Sequence, residues 1–190
     1  MVLRGFTYII ASVLLFILVG MKSDENTPLL ETHHKKVQKS ISKLWDKAKA
    51  EIKIIESDDV NFALVVNDLN GEFYNLVNSS DTGYLYMGKA NACHEGGCDR
   101  FDKNISDRFE RFEYMVVFNN QKEIIHIQVL KYEAEYGYEI CSKRWLNQFI
   151  KTDKSEFDYG SDIQAISGAT VSAQSITNEV NKVSLVLETI

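Results

Sequence analysis

Hydrophobic positions divide the chain into helical stretches at its two ends and strand-like stretches between them. Val171, Ile176, Val180, Val183 and Val186 recur at a spacing that predicts a helix over 170–186 with one loosely apolar face. Near the other end, Val37, Ile41, Leu44, Ala48 and Ile52 predict a helix from Thr32 onward. Lys35, Lys36, Lys39, Lys43, Lys47 and Lys49 lie mostly off that stripe and read as a solvated face, with His33 and His34 solvent-facing in the first turn. Residues 60–67 form an apolar run of strand length. Glu72 to Val77 and Tyr84 to Lys89 flank the turn-rich string Asn78-Ser79-Ser80-Asp81-Thr82-Gly83, which predicts a hairpin. A second pair runs from Glu113 to Asn119, turns through Asn120-Gln121-Lys122 and returns from Glu123 to Tyr132. Ile125, Ile127 and Val129 alternate there with His126, Gln128 and Leu130, the period of a half-buried strand, and His126 is given no chemical role. After Gly137, residues Ile140, Trp145, Leu146 and Phe149 line one side of a short helix. The fold class is α+β, an antiparallel sheet built from successive hairpins with flanking helices.

Length adds one domain of ordinary size to that picture, since 190 residues leave enough chain for a real core after the N-terminal segment. Arg4 precedes an apolar run from Phe6 to Met21 that is short for a membrane span and lacks a good cleavage site. Residues 1–21 therefore read as an export signal retained as an anchor, with cleavage as the alternative. Residues 22–31, with the only proline at 28, read as a short polar linker, and 32–190 as the domain. Arg4 on the inside places that domain at the outer face of a bacterial cytoplasmic membrane, or free in the periplasm if the segment is cleaved. A net charge of −6 without a basic stripe argues against nucleic acid. Asp99 to Glu110 is rich in charge and reads as a solvated loop or short helix.

Candidate chemistry concentrates before the C-terminal helix, in Asp162-Ile163-Gln164-Ala165-Ile166-Ser167-Gly168-Ala169-Thr170-Val171-Ser172. Ser167, Gly168 and Ala169 allow close approach of a ligand to the backbone. A glycine-containing turn feeding a helix N-terminus offers free N–H groups and the positive end of the helix dipole, which suits a phosphate. Thr170 puts a hydroxyl at that place and Asp162 a carboxylate nearby. Spacing alone favours an ordinary N-cap by Ser167 or Thr170, because such caps are common.

Asp162-x-x-x-x-Ser167-Gly168-Ala169-Thr170-x-Ser172 resembles the flavinylation motif of the FMN-binding domain family. That family includes the C subunit of the sodium-pumping NADH:quinone reductase and the G subunit of the Rnf electron-transport complex. The resemblance spans roughly Glu72 to Val186. It implies FMN joined to Thr170 by a phosphoester that a separate flavin transferase places. It implies Ser167, Gly168, Ala169 and Ser172 as the close-approach segment, and Asp162 as the acid that the transferase reads. It also implies a loop bordering the flavin ring, with Gly137, Glu139 and Ser142 at the matching positions; the family's usual Pro-Gly-Leu-Gly version is absent. Trp145 and Phe149 are either plain core or an apolar wall for the ring. Membrane redox partners follow from the same resemblance.

Cys93-His94-Glu95-Gly96-Gly97-Cys98 admits three readings. A structural disulfide between Cys93 and Cys98 suits an exported protein. A redox-active disulfide exchanging electrons with the flavin is the second, and a metal site using Cys93, His94 and Cys98 the third, weakened by the missing fourth ligand. Cys141 reads as a small buried residue whose place in the ring loop leaves a redox role open. No residue pattern indicates a general base, nucleophile or substrate pocket. Electron relay through covalent FMN is therefore the expected function. A flavin-dependent extracytoplasmic reductase, a non-covalent FMN binder and an exported binding domain without flavin are its rivals.

Overall fold

The computed structural model describes residues 27–45, 49–56, 69–92, 110–150, 154 and 156–190. The chain divides into two units, Met1–Thr32 and His33–Ile190. Of the first, residues 27–32 are described; there the Pro28 carbonyl accepts the N–H groups of Glu31 and Thr32. The apolar run 6–21, the run 60–67, the charged stretch 99–109 and both Cys93 and Cys98 lie outside the described residues.

A helix, α1, spans Leu29–Leu44, and five strands follow it: β1 (Glu51–Ile54), β2 (Gly71–Val77), β3 (Thr82–Ala92), β4 (Glu110–Asn119) and β5 (Ile124–Lys131). They form one sheet in the order β1-β2-β3-β4-β5, every neighbour antiparallel. Both predicted hairpins are present. Asp81 and Asn78 close the first turn, where the Asn78 side-chain oxygen accepts the N–H groups of Ser80 (2.8 Å) and Asp81 (2.7 Å). Asn119 does the same in the second, accepting from Gln121 (3.0 Å) and Glu123 (2.9 Å).

The helix expected from Thr32 starts earlier and stops sooner. It begins at Leu29, and Ile52 belongs to the edge strand β1. The early start places His33 inside the helix on the same stripe as Val37 and Ile41, spaced four residues apart, and it is buried where solvent exposure was expected. Its Nε2 lies 2.6 Å from the Glu113 carboxylate of β4. Lys36 donates to the Leu130 carbonyl at 2.8 Å and Ser40 to the Gln128 side chain at 2.8 Å. This part of α1 thus covers one face of β4 and β5.

Expected alternation along β5 gives way to burial of Ile124, Ile127 and Leu130, every third residue. Register shifts between Glu113 and Tyr114, and between Val117 and Phe118, re-aim the side chains. His126 becomes half-buried and contacts the Gln128 amide oxygen at 3.3 Å; burial pulls its pKa down.

The other face of the sheet carries the larger core. Tyr86, Ala90, Phe112, Tyr114, Val116 and Phe118 pack there against a long helix. The short helical run comprises a 3-10 turn (Tyr138–Cys141), α2 (Lys143–Leu146) and a second 3-10 turn (Asn147–Phe149). The final helix, α3, spans Thr170–Leu187, matching the predicted start, and buries Ala173, Ile176, Val180, Val183 and Val186. Val171 is only half-buried because it falls beside that stripe. Ile140, Trp145, Leu146 and Phe149 are all buried, on the predicted side of the short helical run.

Candidate functional site

The segment before α3 is held from several directions. Asp158 and Asp162 close a turn in which the Asp162 N–H bonds the Asp158 carbonyl at 2.8 Å and the Asp158 N–H bonds the Asp162 carboxylate at 3.0 Å. Lys154 pairs with that carboxylate, and this bond, ahead of the backbone N–H, holds the Asp162 pKa below its ordinary value. Ile163 is fully buried. Gln164 is gripped at both backbone groups: its carbonyl accepts the Trp145 indole N–H at 2.8 Å, and its N–H reaches the Gln148 side-chain oxygen at 2.8 Å.

From there the chain runs out to solvent at Ser167 and Gly168, both exposed. Gly168 has φ +82° and an added Cβ would meet nothing within 4 Å, so the glycine is required by the backbone angle and not by crowding. That left-handed turn delivers Ala169, not Ser167 or Thr170, to the cap position of α3, and no side chain caps the helix. The expectation of an ordinary N-cap by either hydroxyl is thereby corrected. The Ala169 N–H bonds the Ile166 carbonyl at 3.2 Å, and the first N–H that bonds within the helix is that of Ala173, to the Ala169 carbonyl at 2.9 Å. The N–H groups of Thr170, Val171 and Ser172 meet no acceptor among the described residues. Thr170 is half-buried, and its hydroxyl likewise engages no described residue.

The loop that begins at Gly137 comes to the same place. Gly137, buried and at φ +91°, sits so close to α3 that an added Cβ would lie 2.5 Å from the Tyr132 hydroxyl and 2.8 Å from the Ser172 hydroxyl. Ser172 is fully buried, and its Oγ stands 2.9 Å from the Tyr132 Oη. Glu139 is exposed, and Ser142 caps α2 by accepting the Trp145 N–H. The structure therefore joins Gly137 to Ser172 directly, leaves Glu139 facing solvent, and spends Ser142 on a cap. Trp145 and Phe149 lie in the core, 5% and 1% exposed, with rings 5.6 Å apart edge to face, so they offer no open wall. The exposed aromatic surface beside the motif is instead Tyr136 and Tyr138, 50% and 68% exposed. Cys141 is a free, half-buried thiol; burial and then Glu139 push its pKa up to about 11, against thiolate chemistry.

Sequence reading missed Tyr132, Gln148 and the Trp145–Gln164 bond. Tyr132 looks like the unremarked end of a strand, and no local pattern marks a long-range partner.

A cleft of about 520 Å³ opens elsewhere, between the β4–β5 turn and the last two turns of α3, with Ile124, Phe157 and Leu185 among its walls. Asn181, its nearest helical residue to Thr170, lies roughly 16 Å along the axis from it. The cleft is separate from the motif. Among the described residues no group of side chains could hold a metal ion, and no helix is long and apolar enough to cross a membrane.

Free first-turn N–H groups, an unengaged Thr170 hydroxyl and open space around Gly168 fit a phosphate monoester. Exposed tyrosines alongside fit a flat, partly apolar ring. No curated protein matches the chain significantly. Residues 110–184, from the start of β4 through most of α3, match the family model of the FMN-binding domain; α1 and β1 to β3, including the first hairpin, precede the matched span. The span contains the 137–142 loop and the whole Asp162–Ser172 motif, and over it the chain is similar to the FMN-binding domain family.

Proposed function

We propose that the protein holds FMN covalently through a phosphoester at Thr170 and relays electrons in a membrane-associated redox chain outside the cytoplasm. The observation that carries this reading is the uncapped start of α3, with an unengaged Thr170 hydroxyl inside the matched domain. When bound, FMN supplies reversible one- and two-electron chemistry. The chain's own contribution is binding and placement. The first-turn N–H groups and the helix dipole offset phosphate charge. Gly168 keeps side chains out of the approach, and the Trp145 and Gln148 bonds to Gln164 hold the lead-in rigid.

Forming the ester requires a donor whose FMN phosphate carries a leaving group. Thr170 Oγ1 loses its proton as the new O–P bond forms, and the leaving group departs with the electrons of the old one. Exposure of Ser167 and Gly168 leaves this segment open to a separate flavin transferase. Covalent attachment suits a compartment where free FMN is scarce and a dissociated cofactor is lost.

The test is intact mass and in-gel flavin fluorescence after denaturation, on protein co-expressed with a flavin transferase. Wild type gains the mass of one FMN less one water and fluoresces in the gel, whereas Thr170→Ala does neither. Yellow protein that loses its colour on denaturation would replace this reading with non-covalent binding. Colourless wild type would leave a binding domain without flavin.

A further inference from the structure

The geometry points to Tyr132 as a positioning residue of the flavin site, clasping the ring loop onto the first turn of α3. This rests on the reading of Thr170 as the attachment point. Tyr132 donates its hydroxyl proton to the Tyr136 carbonyl, and the same oxygen stands 2.9 Å from Ser172 Oγ. With its one proton committed, the phenol accepts from Ser172, so one oxygen ties the loop to the helix. Burial raises the Tyr132 pKa above its ordinary value, which keeps the phenol protonated in neutral solution.

Ser172 follows Thr170 by two residues, about 3 Å along the helix axis. Gly137 is wedged against both hydroxyls, and its 3-10 turn bonds the Ile140 N–H to the Gly137 carbonyl at 3.3 Å and the Ser142 N–H to that of Glu139 at 3.1 Å. The clasp therefore sets where Tyr138 and Cys141 stand relative to Thr170. Tyr138 meets the Tyr132 ring edge to face at 6.0 Å, and Phe112 supports that ring at 5.5 Å. Tyr132 spends its polar end on the clasp and its ring on supporting Tyr138, the more exposed of the two tyrosines beside the motif. A residue serving only the core would need no hydroxyl here.

The experiment uses the full chain as Tyr132→Phe, Ser172→Ala and the double variant. Tyr132→Phe keeps the ring packing and removes both bonds. Hydrogen exchange over 137–142 is expected to quicken about fivefold or more in Tyr132→Phe, with exchange in β2 and β3 unchanged. The Tyr132→Phe and Ser172→Ala effects are expected to be non-additive, because they remove the same link. In flavin-loaded protein, verified by mass, Tyr132→Phe is expected to change the visible circular dichroism and emission of the flavin while Thr170 still carries it. Gly137→Ala supplies a second route: it keeps both hydroxyls, but its Cβ would lie 2.5 Å and 2.8 Å from them and forces the loop off the clasp, so it should change the flavin spectra in the same way. Unchanged exchange over 137–142, additive effects, or flavin spectra identical to wild type would each overturn the proposal. If wild-type protein carries no flavin at all, the attachment reading fails with it, and the exchange data then describe a loop clasp without a cofactor role.

Discussion

Trp145 donates its indole N–H to the carbonyl of Gln164 at 2.8 Å, across nineteen positions of sequence. The bond links the buried short helical run to the strand-like lead-in of the motif, and Gln148 completes it by accepting the Gln164 N–H. The motif thus inherits its position from a core aromatic residue.

Trp145→Phe retains most of the buried ring and leaves the Gln164 carbonyl without its donor. It is expected to destabilise the fold by about 1–2 kcal/mol. Urea unfolding measures that loss, and hydrogen exchange over 162–166 should quicken more than over β3. Equal quickening in both regions would contradict the assignment.

Gly168→Ala should cost about 1–2 kcal/mol through its left-handed backbone alone, since no atom obstructs the new methyl group. Gly168→Asn should cost clearly less, because asparagine tolerates that region. A large, equal loss in both variants would mean that crowding operates there after all. Thermal unfolding of the three proteins distinguishes the cases.

Cys141 should alkylate with a pH midpoint near 11, against the ordinary value of 9.0. At pH 8 its rate is then about a hundredfold below that of an unperturbed thiol. Peptide-resolved labelling with iodoacetamide reads this directly. The folded value is raised, so the associated stability is present below pH 9 and is lost as pH climbs through 11.

His33 and Glu113 should show a coupling of about 1.5–3 kcal/mol in a double-mutant cycle, because their 2.6 Å contact is largely shielded from water. Single and double alanine variants, unfolded in urea, give the number. A coupling near zero would show that this contact does not help to hold α1, leaving Val37, Ile41 and the Lys36 and Ser40 bonds to do so.

These last residues also mark where sequence reasoning stops. Both hairpins, the short helical run and the start of α3 were legible because each is announced by local period or turn chemistry. Ile52 was misassigned because its spacing continues the helical stripe, while Glu51–Ile54 pairs as a strand with Val77 to Tyr74. His33 changed character because α1 gained three residues at its start, rotating nothing but revealing which stripe it shares. In β5, register shifts invisible to a period-two reading decided which side chains are buried. At the motif, residue types pointed to Thr170, but the uncapped helix start depends on the backbone angle at Gly168. Tyr132 and Gln148 act on groups 40 and 16 positions away, and no local pattern carries such information.

The helix that starts with Thr170 also supplies the inner stripe of Ala173, Ile176, Val180 and Val183, closing the core over strands that all precede it in the chain. During synthesis the sheet emerges first, and the face that carries the larger core remains uncovered until this helix arrives. A product stopped short of α3 would therefore lack Thr170 and its fold together. Such a fragment falls to proteolysis instead of persisting. On the function proposed above, completeness of the polypeptide and readiness for FMN are thus inspected in one step.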